Sequence, residues 1–154
     1  GGVFVQGMAH AFVDEAMLRS MVATLNEAFP YVAVFRPSLS AVLFAASDAP
    51  FEPIASARAA LTEAPGDFAR FGILAAEDAV AAWELAPADS AAFAQGAPAI
   101  SDDDNPLATR SARMSQPLTA KRGNEILKTY DPLVEGREGF DSLDRLYLAR
   151  RVAV

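Results

Sequence analysis

Apolar and polar positions divide the first 47 residues into four stretches. Val3, Phe4 and Val5 are consecutive apolar residues that give way to Gln6 and Gly7, the pattern of a strand covered on both faces. From Asp14 to Phe29, the residues Met17, Leu18, Met21, Val22, Leu25, Ala28 and Phe29 recur at spacings of three and four, which predicts a helix with one apolar face. Asp14 is placed to cap it, Val13 and Leu18 to form a hydrophobic staple, and Glu15 to complement the positive end of the helix. Pro30 ends it. Tyr31 to Arg36 and Ala41 to Ala46 are two β-rich runs split by Pro37-Ser38-Leu39-Ser40. Strand, helix and strand predict a βαβ unit, its two strands forming a parallel pair with a right-handed crossover. The four-residue break is too short for a second crossing. The third strand is therefore expected to return antiparallel beside the second, giving a mixed sheet in an α/β fold.

After Ser47 the chain turns to Ala, Pro and acidic residues. Ile54 to Ala64 and Ala76 to Leu85 read as helices, with Pro65-Gly66 and Pro87 as breaks. Asp89 to Ala94 adds a turn or more of helix, and Trp83 is expected to pack its helix on the body. Ala97 to Pro106 reads as loop. Pro117 to Thr129 and Asp141 to Arg151 are further helices, started by Pro117 and capped by Asp141. Two parts result: residues 1–109 as the body, and residues 110–154 as a helical or partly disordered tail. Three strands do not make a self-sufficient sheet, and an apolar first strand with an uncovered edge invites pairing. The missing half is expected upstream or from another chain, with a homodimer through that edge as one arrangement.

Composition narrows this picture. Half the residues are apolar, but Ala supplies many of them, so the core is expected to be thin. There is no Cys, hence no disulfide framework and no thiolate chemistry, which suits a reducing compartment and a cytoplasmic location. No apolar run reaches the length of a membrane span. The N-terminus shows neither a basic leader nor an initiator Met, and the chain is expected to be a piece of a longer protein. Residues 1–109 carry four Lys/Arg against fourteen Asp/Glu, whereas residues 110–154 carry nine against six. That acidic body argues against nucleic acid as a partner, since phosphate binding needs cationic side chains. It suits a cationic ligand or a solvated acidic surface.

Three places offer chemistry. Gln6 closes the first strand, where ligands of open α/β sheets bind; it also fits a loop Gln capping backbone groups. His10, the single histidine, follows in the same loop, as a proton carrier near neutral pH or as a surface residue. Asp102, Asp103 and Asp104 precede Asn105-Pro106, a run suited to a hard cation, to an ammonium group or to a plain turn. It is no EF-hand: the central Gly is missing and Arg113 stands at the closing position. No catalytic residue and no metal site is assigned. The chain has no Gly-rich strand-to-helix turn with a downstream acidic residue, so no cofactor is expected to bind this piece alone.

Gly1-Gly2-Val3-Phe4-Val5-Gln6, Asp14-Glu15-Ala16-Met17-Leu18-Arg19-Ser20 and Phe29-Pro30-Tyr31-Val32, in that order, resemble the spermidine synthase (polyamine aminopropyltransferase) family. The bacterial spermidine synthase-like branch is the nearest in pattern, and Asp102-Asp103-Asp104-Asn105-Pro106-Leu107 resembles an acidic segment late in it. The likeness covers roughly the first 110 residues. It implies the C-terminal half of a class I methyltransferase-like Rossmann fold, with strands five, six and seven of seven and the seventh antiparallel. It implies transfer of an aminopropyl group from decarboxylated S-adenosylmethionine to a diamine, with Gln6 lining the amine pocket; His10, in the same loop, is a further substrate-binding candidate from its position alone. The nucleoside-binding segments and the Asp that helps deprotonate the attacking nitrogen would lie upstream. Relatives commonly carry Trp after the Gln and Tyr four residues further on; here those positions are Gly7 and Ala11. Larger members add membrane segments upstream. Two other expectations stay open: an S-adenosylmethionine-dependent methyltransferase, and a non-catalytic interaction domain that kept the fold.

Overall fold

Asp14 starts the central helix as its position predicts: its carboxylate accepts the Met17 N–H at 2.7 Å. The staple residues Val13 and Leu18 are fully buried. The computed structural model describes residues 2–38, 41–105, 108 and 117–132. Within them run β1 (Val3–Ala9), a 3-10 turn (His10–Phe12), α1 (Glu15–Ala28), β2 (Tyr31–Ser38) and β3 (Ala41–Ser47). There follow α2 (Pro53–Glu63), α3 (Pro65–Ala69), α4 (Ala76–Val80), β4 (Trp83–Leu85) and α5 (Pro87–Ala94). The last elements are α6 (Ala120–Leu127) and a 3-10 turn at Lys128–Tyr130. The helix expected over Asp141 to Arg151 lies outside the described residues.

The four strands form one sheet in the order β1-β3-β2-β4, and every neighbouring pair is antiparallel. The α/β expectation holds in this coarse form, and β3 does return antiparallel on β2. The expected parallel pair does not form. β1 and β2 point the same way, but β3 lies between them and pairs with both. The reason is visible in β3 itself: its burial pattern leaves apolar side chains enclosed on both faces from Phe44 to Ala46, as suits an inner strand. β1 also runs on to Ala9 instead of stopping at Gln6, because β3 offers it pairing partners all the way to Ala41.

Alternation along the strands assigns the faces. Val32 and Val34 of β2 and Val42, Phe44 and Ala46 of β3 join α1, Leu85 and Phe93 in the main core. Leu118, Ile126 and Leu127 add to the same core, so α6 and the residue before its cap pack onto the body. Ala33 and Phe35 face the other way, with Trp83, Val80, Phe51 and Ile54 in a smaller cluster. Phe4, paired with Ala46, falls on the α1 face and stacks on Phe29 at 6.1 Å. Val3 and Val5 fall on the opposite face, each 57% exposed. The first strand is thus not covered on both faces by the described residues.

The second correction concerns Ala76 to Leu85. The helix stops at Val80, and Trp83 to Leu85 pair with β2 as a strand. Ala-rich sequence carries little periodic signal, and the open edge of β2 decides the outcome. Trp83 therefore packs from a strand, stacking on Phe35 at 6.0 Å with its indole N–H donating to the Leu85 carbonyl at 2.8 Å. The register shifts between Val34 and Phe35, opposite Leu85 and Trp83, leaving Glu84 as an extra residue. Such a bulge sends Trp83 and Leu85 to opposite faces and re-aims the residue between them. The helix expected from Pro117 begins later, at Ala120, because Thr119 Oγ1 accepts the Arg122 N–H at 3.1 Å and so caps it.

Candidate functional site

β1 and β2 both end on the side of the sheet where β3 begins, and α1 starts there after the His10–Phe12 turn. Two polar assemblies gather around that region.

The first is a cleft along α1. α5 lies antiparallel to α1: Ser90 donates to Asn26 at 3.0 Å, and Arg19 donates to the Phe93 carbonyl with its guanidinium 4.6 Å above the Phe93 ring. After α5 the chain turns at Gly96, whose φ of 77° is one that favours glycine. It then runs back along α1, fixed where the Ile100 N–H donates to Thr24 Oγ1 at 2.8 Å. The Asp102–Asp104 segment is a turn tied by Ser101, whose hydroxyl accepts the Asp104 N–H at 3.1 Å. A cleft of about 400 Å³ remains, and Asp14, Met17, Arg19, Ser20, Pro98 and Asp104 contribute to its lining. Arg19 is engaged on one side by Glu15 at 3.3 Å. Glu15 in turn holds Arg122 of α6 at 2.6 Å. The hydrogen bonds that Arg122 donates to Glu15 and then to Glu125 raise its pKa above the usual arginine value.

The second assembly lies where β2 ends. Arg36 Nη2 donates to Glu84 Oε1 at 2.8 Å, and both side chains are about 9% exposed. The same guanidinium donates to Asn124 Oδ1 of α6. Gly123 lies against it, and a Cβ at that position would overlap the guanidinium. A buried ion pair, a helix and the end of a strand are thereby joined.

The residues singled out from the sequence do not converge. Gln6 sits within β1, exposed, with its amide donating to the neighbouring Gly7 carbonyl at 2.8 Å. This is the backbone-capping role, though on a strand and not in a loop. His10 is only 6% exposed, which corrects the surface-loop reading: the 3-10 turn folds the ring inward. Asp102 and Asp103 are exposed on the turn, and Asp104 alone of the three lines the cleft. Among the described residues no group of three His, Asp or Glu side chains is arranged to hold a metal ion, and no helix is long and apolar enough to cross a membrane.

Sequence reasoning missed Arg36, Glu84 and Asn124. Two signals were present: an Arg directly after an apolar β run, and Gly123 inside a helical stretch, a common mark of close approach. Compared with family models, with curated proteins and with solved structures, the chain finds no match.

Proposed function

We propose that the chain is the closing part of a spermidine synthase-like Rossmann domain whose whole transfers an aminopropyl group from decarboxylated S-adenosylmethionine to a small amine. The observation that supports this most is the arrangement of β1, α1, β2 and β3. Two strands run the same way, linked by a helix, and the third runs opposite to both, as the resemblance implies for the last three strands of that fold. The outer edge of β1, with Val3 and Val5 exposed beside it, would take the upstream strands.

The chain's own residues do not fit the nucleoside. The connection from Ala9 to Asp14 contains no glycine and is filled by buried His10 and Val13, so it offers no cradle for a ribose or adenine. The cofactor would be held upstream. Gln6 would border the amine side from β1. The deciding experiment joins the chain to its native upstream sequence and assays aminopropyl transfer. Product formed from a diamine supports the reading, and no transfer to any diamine removes it. Methyl transfer from S-adenosylmethionine would move the assignment to the methyltransferase alternative.

The non-catalytic alternative has three observations in its favour. Gln6 is turned onto its own strand, a Cβ at Gly7 would stand only 3.2 Å from Leu43 Cδ2, and Ala11 offers no aromatic wall. A domain that binds neither form of the cofactor would support it.

A further inference from the structure

Residues 117–130 lie over the side of the sheet where β1 and β2 end. The Leu118 N–H donates to the Val13 carbonyl at 2.6 Å, just before α1. α6 then ties Arg122 to Glu15 at 2.6 Å, and Asn124 to Arg36 near the end of β2. Beyond α6, Tyr130 meets the Phe93 ring of α5 edge-on at 5.3 Å. The segment thus crosses from α1 past β2 to α5 as a strap.

Two properties set the strap apart from the body it crosses. α6 has eight residues with Gly123 among them, fewer than an isolated helix needs in water, so it is helical because it is docked. The ties from Arg122 and Asn124 also end on groups that keep another partner when the strap leaves. Glu15 still holds Arg19 at 3.3 Å, and Arg36 still holds Glu84 at 2.8 Å. Release therefore strands neither charge, the outcome that makes breaking an ion pair costly. The strap is held by Leu118, Ile126 and Leu127 in the main core, while its partly exposed pair with Glu15 adds little. Small units with few such anchors open without the rest of a structure. We propose that residues 117–130 open as a unit while α1 and the sheet stay folded, and that this opening controls access to the ends of β1 and β2. Val13, fully buried and bonded to Leu118, is the floor that opening uncovers. The inference concerns access alone and does not rest on aminopropyl transfer.

Hydrogen exchange of the ¹⁵N-labelled full-length protein in subdenaturing urea tests the opening. The amides of Ile126 and Leu127 are expected to exchange about tenfold faster, or more, than those of Val22 and Leu25 in α1. Their urea dependence should be shallower, because a local opening exposes less surface than unfolding does. Equal rates and slopes at all four amides would mean that the strap leaves only with the fold, which overturns the proposal. A single thiol tests the access, since the chain has no Cys. Without urea, Val13→Cys is expected to react with a maleimide about tenfold faster, or more, than Val22→Cys, which is equally buried in the parent. Labelling is compared with Ile126 exchange in the same variant, so that a change in stability moves both together. Two thiols reacting alike, or a thiol at position 13 that stays protected while Ile126 exchanges, would overturn the control of access. Both readouts report opening, so a protein without transferase activity can still pass, and an active transferase can still fail.

Discussion

Arg36 and Glu84 meet at 2.8 Å across the join between β2 and β4, with both side chains nearly buried. Burying an ion pair costs desolvation that its attraction only partly returns, but removing one partner strands the other charge. The pair therefore matters more for what its breaking costs than for what it adds. Arg36→Met is expected to destabilise the protein by about 3 kcal/mol, whereas Arg36→Met with Glu84→Leu recovers most of that loss. Urea unfolding midpoints of the full-length protein check this. Single and double variants losing equal stability would show that Glu84 is not stranded in the single one.

Gly123 is tied to the same guanidinium. In an exposed helix, Gly to Ala would gain about 1 kcal/mol from propensity alone. Here the added Cβ must displace an Arg36 head already held by Glu84 and Asn124. Gly123→Ala is expected to destabilise, and to become neutral or stabilising once Arg36 is Met. The two sites share a contact, so the cycle should be non-additive. Additive effects would mean the close approach carries no energy.

Asp14 serves α1 by its oxygen, not only by its charge. Asp14→Ala removes the acceptor for the Met17 N–H and is expected to cost about 1 kcal/mol. Asp14→Asn keeps an acceptor and should cost much less. Thermal unfolding of the two variants separates cap from charge, and equal losses would argue that the carboxylate acts electrostatically.

What the sequence disclosed follows from how local each signal is. The α1 helix was legible because its cap, its staple and its apolar face all lie within one stretch, and each points to the same element. The strand identities of β1, β2 and β3 were legible too. Their order was not: nothing in Val3 to Val5 or Tyr31 to Phe35 says that a third strand will slide between them. β4 was hidden because three residues after an Ala-rich helix have no period of their own, and only the open edge of β2 makes them a strand. For the same reason the Arg36–Glu84 pair, formed by residues 48 apart, left no local pattern. Gln6 and Asp104 were visible as polar residues at breaks, yet the fold sends one to a strand edge and the other to a cleft on α1.

The edge of β1 gives the most direct test of the larger domain. Val3 and Val5 lie on the face opposite α1, both more than half exposed, and the outer edge of β1 pairs with none of the described strands. If upstream strands and their covering layer close over this side, position 5 is buried in the full-length protein. Val5→Lys would then force an ammonium into an apolar interface and lower stability by about 2 kcal/mol or more. Leu74→Lys is the matched control, because Leu74 is exposed on a loop and changes at exposed surface positions stay within about 0.5 kcal/mol. The comparison is made by urea unfolding of the full-length protein. If both lysines are tolerated alike, β1 faces solvent in the whole protein. The closing-half reading would then lose the strand edge on which it depends.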